Sequence, residues 1–323
     1  MAVKWIKFLI AIDKKPRRGL LAAEWFILGY LVLTLLLILF MWTKLANPAP
    51  LLWGRFHAAA LMAALWVVYR LVPCRLTLLG RVLLQLAMLS WWYPDTFDLN
   101  RILPNQDHVF AAMEQQLFGC QPALLFSQRV ASPVFSELMY MGYSSYYPLI
   151  AITTFYYFIR RNDEFERTAF VILAAFFAFY AIYVLLPVTG PQYYYLAAGL
   201  DNIAAGNFPA AGDYFITHDQ SMHMTGYENG LFYQFMAKAH ATGERPTAAF
   251  PSSHVGITLI LLLLALRARS RRLSWVVGAM LLLMCMATVY IRAHYAIDVI
   301  AGLVTGTVFY LALQFAYSKL RLW

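Results

Sequence analysis

Eight apolar runs separated by clusters of charge leave this chain few folds to choose from. They cover about 20–42, 57–72, 78–92, 138–159, 168–186, 252–266, 273–291 and 296–317. Most approach the roughly 20 residues that a helix needs to cross a hydrocarbon core of about 30 Å. Inside lipid every backbone N–H and C=O must find a partner within the protein, so such runs become helices. Hydrophobic residues are 62% of the chain and charged ones 13%, against roughly 45–50% and 25% in soluble domains. The expected fold class is all-α, a polytopic integral membrane helix bundle of about eight spans.

The basic residues sort by side. Eighteen of the 25 lysines and arginines fall at one set of run ends: before residue 19, near 70–81, at 160–167, at 267–272 and after 318. The positive-inside rule makes that side cytoplasmic and puts both termini there. The first run is too long for a signal-peptide core and is expected to stay as a span. The other seven, Lys44, Arg55, Arg101, Arg129, Lys238, Arg245 and Arg292, lie outside or at outer run ends. The expected location is a bacterial inner membrane, with two polar segments, 93–136 and 189–250, in the periplasm. Within the first, Val109 to Phe118 has apolar residues at helical spacing, which predicts an amphipathic helix on the membrane surface.

Some charges sit awkwardly in this scheme. Arg70, Arg75 and Arg81 crowd the joint between the second and third runs, where snorkelling to the cytoplasmic surface would accommodate them. Glu24 and Glu137 are costly in lipid and are expected at an interface or bonded to a neighbouring helix. The net charge of +9 does not point to nucleic acid, because no basic stripe interleaved with surface aromatics is present. The three cysteines fall at different depths of this topology, so no intrachain disulfide is expected.

Three clusters carry chemistry. Lys238 is followed after six residues by Arg245-Pro246. Pro251-Ser252-Ser253-His254 stands directly before an apolar run, which places the serines and histidine at a helix N-terminus, where unbonded N–H groups and the helix dipole favour an anion. Arg292-Ala293-His294-Tyr295-Ala296-Ile297-Asp298 puts His294 and Asp298 four residues apart, on one face if the segment is helical. Two histidines, an orienting carboxylate and several cations describe phosphoryl transfer, in which catalysis is mostly cationic clamping around a positioned nucleophile and acid.

In that order, Lys-x6-Arg-Pro, Pro-Ser-x-His and His-x3-Asp resemble the type 2 phosphatidic acid phosphatase superfamily. The resemblance implies a six-helix core, here 73–323, with 1–72 contributing a cytoplasmic N-terminus and two added helices. It implies that His294 is the nucleophile, Asp298 orients it, His254 protonates the leaving alcohol, and Lys238, Arg245, Ser252 and Ser253 hold the phosphate. The family's third motif has an arginine at the position of Thr288. Here Arg292 is the candidate replacement. The stretch Thr288-x-Tyr-x-Arg-x-His-Tyr-x-x-Asp298 is similar to the inositol phosphorylceramide synthase-like branch, which moves head groups between lipids.

Three functions remain open. A lipid-phosphate phosphatase acting through a phosphohistidine is the first, with a lipid phosphate as substrate and membrane lipids as surroundings. A head-group phosphotransferase and a non-catalytic lipid-binding protein are the others. No cofactor is expected. His218 and His223 beside Asp213 and Asp219 invite a metal, but their loop spacing does not make four ligands converge, so no metal is assigned.

Overall fold

A computed structural model describes residues 2–13, 16–241 and 245–320; Lys14, Lys15 and Arg321, counted among the inner charges, lie outside them. The helices in chain order are α1 (Ala2–Leu9), α2 (Ala22–Phe40), α3 (Pro48–Leu71), α4 (Arg75–Asn100), α5 (Asp107–Phe118), α6 (Pro122–Arg129), α7 (Pro133–Ser144) and α8 (Tyr146–Arg160). They continue with α9 (Phe165–Leu185), α10 (Pro191–Ala198), α11 (Leu200–Ala204), α12 (Tyr214–Thr217), α13 (Leu231–Ala241), α14 (Ser253–Arg267), α15 (Arg271–Tyr290) and α16 (Ala296–Leu320). Among the described residues no β-strand forms. The fold is an all-α helix bundle. Five helices, α2, α3, the one ending at Leu185, α15 and α16, are long and apolar enough to cross a membrane, and α14 is a shorter apolar helix.

Two expected spans differ from the sequence reading near a proline, one because of it and one in spite of it. The run at 138–159 is divided between α7 and α8 at Ser145. Pro148 has no N–H for the carbonyl four residues earlier, so the helix can break there at low cost. The run at 78–92 is part of a longer helix, α4, which passes through Pro94 and continues to Asn100.

Helix α9 is the central post. It is buried nearly all round and packs against α2, α4, α14 and α16. Two buried ion pairs tie the N-terminal helices to it through α4. Arg55 donates two bonds of 2.7 Å to Asp95, one to each carboxylate oxygen, and Arg81 donates to Glu24. The snorkelling expected of Arg81 does not occur: its exposure is 0%. A charge removed from water is tolerable when a bidentate partner replaces the lost hydration, and Glu24 is that partner. Arg55, expected at an outer end, is likewise buried within α3.

Helix α5 has two faces. Val109, Met113 and Leu117 form an exposed apolar stripe, as a surface helix requires. Asp107, Phe110, Ala111 and Glu114 are buried on the other face, which is turned toward α10 and α16. Glu137 on α7 accepts the N–H groups of Phe232 and Tyr233 at 3.0 and 3.1 Å. It thereby caps α13 from a neighbouring helix, using the free N–H groups of the first turn.

Candidate active site

One close helix crossing, with two points of backbone contact, brings the second and third sequence clusters together. Gly302 and Gly306, one turn apart on α16, lie against α14. A Cβ at Gly302 would stand 2.6 Å from the Ser252 carbonyl oxygen, and one at Gly306 would stand 2.6 Å from the Gly256 carbonyl oxygen. Small residues at this spacing let two backbones touch. The contact is completed by the Ser252 N–H, which donates to the Asp298 carbonyl at 3.1 Å. As a result His254, in the first turn of α14, faces His294, just before α16, with ring centroids 5.7 Å apart.

His294 is 3% exposed. Its Nδ1 lies 2.7 Å from the Ala249 carbonyl oxygen and 3.5 Å from Asp298 Oδ2. The Asp298 carboxylate is closer to a backbone group, accepting the Tyr295 N–H at 2.8 Å. Of these two groups the loop before α14 is the closer to the imidazole and the carboxylate the farther. His254 lies between Tyr143, stacked at 4.6 Å, and Tyr146, at 4.4 Å. Ser252 is the N-cap of α14, its Oγ accepting the Val255 N–H. Ser253 donates its N–H to the Tyr183 hydroxyl at 3.0 Å.

The cations are arranged less tightly. A cavity of ≈ 370 Å³ is lined by Ser253, His254, Arg245 and the aromatic rings of Tyr143, Tyr146 and Tyr180. Arg245 is exposed on its lip, 3.8 Å from Asp219 and over the Phe97 ring. Lys238 is exposed in the last turn of α13 and does not line the cavity. Arg292 is half-buried and donates to Ser127 on α6 at 3.5 Å. Burial pushes its guanidinium below the ordinary range, with Tyr140 and Tyr195 opposing. Its φ is +64°, a left-handed conformation that glycine usually provides at the end of a helix and that costs a side-chain-bearing residue roughly 1–2 kcal/mol. Thr288 bonds back to the Met284 and Cys285 carbonyls within its own helix. Its own carbonyl accepts the His294 N–H at 3.0 Å.

Several supporting residues escaped the sequence reading. Asp107 is completely buried and collects five donors: Asn105 Nδ2, the Thr189 N–H and hydroxyl, the Gly190 N–H and the Tyr295 hydroxyl, all within 3.1 Å. Burial pushes its carboxyl upward against the Thr189, Asn105 and Gly190 donors. Gly190, at φ +95°, approaches so closely that a Cβ would stand 2.7 Å from the Ala293 carbonyl oxygen. Asp107 thus supports the turn that carries His294. Glu114 accepts the Ala296 N–H at 3.1 and 3.2 Å, and burial pushes its carboxyl up to about 8. A carboxylate among Phe110 and Ala111 on the inward face of α5 was the one sequence signal that could have found it. Tyr183 donates to the Pro251 carbonyl at 2.9 Å while accepting from Ser253.

Residues 108–312 match the family model described as the PAP2 superfamily. That match spans well over half of the chain and includes all three clusters. The chain belongs to the PAP2 superfamily. No curated protein and no solved structure matches it. Membership supports a lipid enzyme of the phosphatase or phosphotransferase type, and the long apolar helices make this PAP2 chain an integral membrane protein. The match does not extend to the inositol phosphorylceramide synthase-like branch in particular.

Proposed function

We propose that this PAP2 protein is a lipid-phosphate phosphatase working through a phosphohistidine on His294, with its active site on the periplasmic side and a catalytic core from about residue 73 onward. The observation that carries the reading is the tautomer of His294. A carbonyl oxygen can only accept, so the 2.7 Å contact with Ala249 requires the proton on Nδ1. The lone pair then resides on Nε2, which makes that atom the nucleophile. Asp298, 3.5 Å from Nδ1, stabilises the cation that forms as Nε2 bonds to phosphorus.

The other residues follow from this assignment. As Nε2 attacks, the bond from phosphorus to the lipid oxygen breaks and His254 gives that oxygen a proton. Water then returns a proton to His254 and releases phosphate from His294. Ser252 and Ser253 stand at the positive end of α14, where an anion is favoured. Arg245 on the cavity lip and Lys238 beyond it meet the incoming phosphate. Arg292 supplies charge from the far side, and its occupation of a glycine-like backbone position supports a role for the side chain.

A head-group phosphotransferase is the second reading. Tyr143 and Tyr146 both pack their rings against His254, and a site that restricts water favours a lipid alcohol as acceptor. One experiment separates the two. Purified protein is given a panel of labelled lipid phosphates with and without lipid alcohols, and products are followed together with label on the protein. The phosphatase reading expects inorganic phosphate, labelling that is abolished in His294→Ala, and weak labelling of His254→Ala by substrates with good leaving groups. A new phosphodiester lipid formed only with an added alcohol would establish the transferase, and label persisting in His294→Ala would refute the nucleophile.

A further inference from the structure

A second cavity lies away from the catalytic centre. It is a groove of ≈ 820 Å³ on the outer face of the α14–α15 hairpin, lined by Leu262 and Leu266 from α14, Arg269 from the turn, and Arg271, Trp275, Gly278 and Leu282 from α15. His254 begins α14 and His294 follows α15. The turn is therefore at the opposite end of both helices from the reacting histidines.

The groove has the polarity profile of one phospholipid. From Arg271 to Leu282 is eleven residues, about 16 Å of helix, close to the roughly 15 Å thickness of one leaflet's hydrocarbon. Cations stand at one end and only apolar side chains at the other. Trp275, 79% exposed, lies one turn from the cations, at the depth where tryptophan anchors to the interface. Gly278 leaves the wall low, its missing Cβ 3.7 Å from Leu262. The charge is available as well. Arg267 in the same turn is neutralised by Glu164 at 2.8 Å, whereas among the described residues neither Arg269 nor Arg271 has a carboxylate partner.

We propose that this groove binds one anionic glycerophospholipid, its phosphate between Arg269 and Arg271 and an acyl chain along Trp275, Gly278 and Leu282. The site lies in the leaflet away from the catalytic centre, so it is distinct from the substrate site and does not depend on the phosphatase assignment. Juxtamembrane arginines each contribute about fivefold to binding of anionic lipid, so the pair should favour such a lipid by roughly thirtyfold over a zwitterionic one.

The test uses tryptophan quenching in delipidated protein held in a zwitterionic detergent. Phosphatidylglycerol or phosphatidylcholine brominated on the acyl chain is titrated, and the contribution of Trp275 is taken as the difference between the wild type and Trp275→Phe. Quenching at about thirtyfold lower phosphatidylglycerol than phosphatidylcholine is expected, with the preference lost in Arg269→Gln/Arg271→Gln and kept in Arg70→Gln/Arg75→Gln. Equal quenching by both lipids, or a preference that survives the first double substitution, would overturn the site. A preference lost equally in the second would overturn it too, assigning the effect to diffuse surface charge.

Discussion

Replacing Gly302 by alanine should damage the activity of this protein far more than its stability. The new Cβ would meet the Ser252 carbonyl oxygen at 2.6 Å and the Ser252 and Val255 Cβ atoms at 3.3 Å. An ordinary carbon to oxygen contact needs about 3.3 Å, so α14 and α16 must separate locally by about 0.7 Å. The obstacle is backbone, which cannot rotate away. Overpacking of this kind costs about 1–3 kcal/mol, and the gain in helix propensity from glycine to alanine returns about 1 kcal/mol. The net loss of stability should therefore be modest, about 0–2 kcal/mol. Activity should suffer far more. The displaced atoms belong to the cap of α14, two residues before His254, and to the helix that holds Asp298. A misplacement near 1 Å costs on the order of 10²-fold in rate. The assay is turnover of the best substrate from the panel, alongside thermal unfolding in detergent. Gly29→Ala, at a helical glycine with nothing within 4 Å of a new Cβ, is the control and should be neutral or stabilising. Wild-type turnover in Gly302→Ala would refute the claim that this crossing sets the distance between the histidines.

Tyr183→Phe leaves the Ser253 N–H and the Pro251 carbonyl without their buried partner, and should cost about 2–4 kcal/mol in unfolding experiments; a change below 0.5 kcal/mol would show that water replaces the hydroxyl. Burial raises the Glu114 carboxyl from its ordinary value of 4.5 to about 8 in the folded protein, so its contribution is complete below about pH 4.5 and is lost as pH rises through about 8. The melting temperature should fall over that window, and Glu114→Gln should flatten the slope; an identical slope in the variant would show that Glu114 is ionised in the folded protein. Arg292→Gly relieves the left-handed strain and should leave the melting temperature level or raise it while turnover drops roughly 10²–10³-fold, as for loss of an oriented stabilising donor. Arg292→Lys should lose a similar factor if the fork of donors matters, and undiminished turnover in both would reduce Arg292 to a contact with Ser127.

Periodicity and charge were enough to identify an all-helical membrane bundle, because the requirement that acts on each span, satisfaction of its own backbone in lipid, is local. The placement of His254, His294 and Asp298 at helix ends was legible for the same reason: short-range spacing specifies which groups share a face and which meet a helix dipole. What pairs across the sequence was not legible. Glu24 with Arg81, Arg55 with Asp95 and Asp107 with Tyr295 are 57, 40 and 188 residues apart. Its place in an apolar run marked Glu24 as needing a partner without naming one, and nothing local distinguishes Asp95 or Asp107 from carboxylates that face solvent. The Ala249 carbonyl that faces His294 was hidden in the same way, since it is a backbone atom that every residue possesses. The distance between the two histidines depended on Gly302 and Gly306 meeting α14, a contact whose consequence exists only once two helices cross. The sequence by itself therefore determined which groups could act and roughly how each sits on its own helix. The tertiary structure alone decided what His294 Nδ1 meets, the separation of the two histidines and which charges were buried, because those depend on contacts between segments that local propensity does not encode.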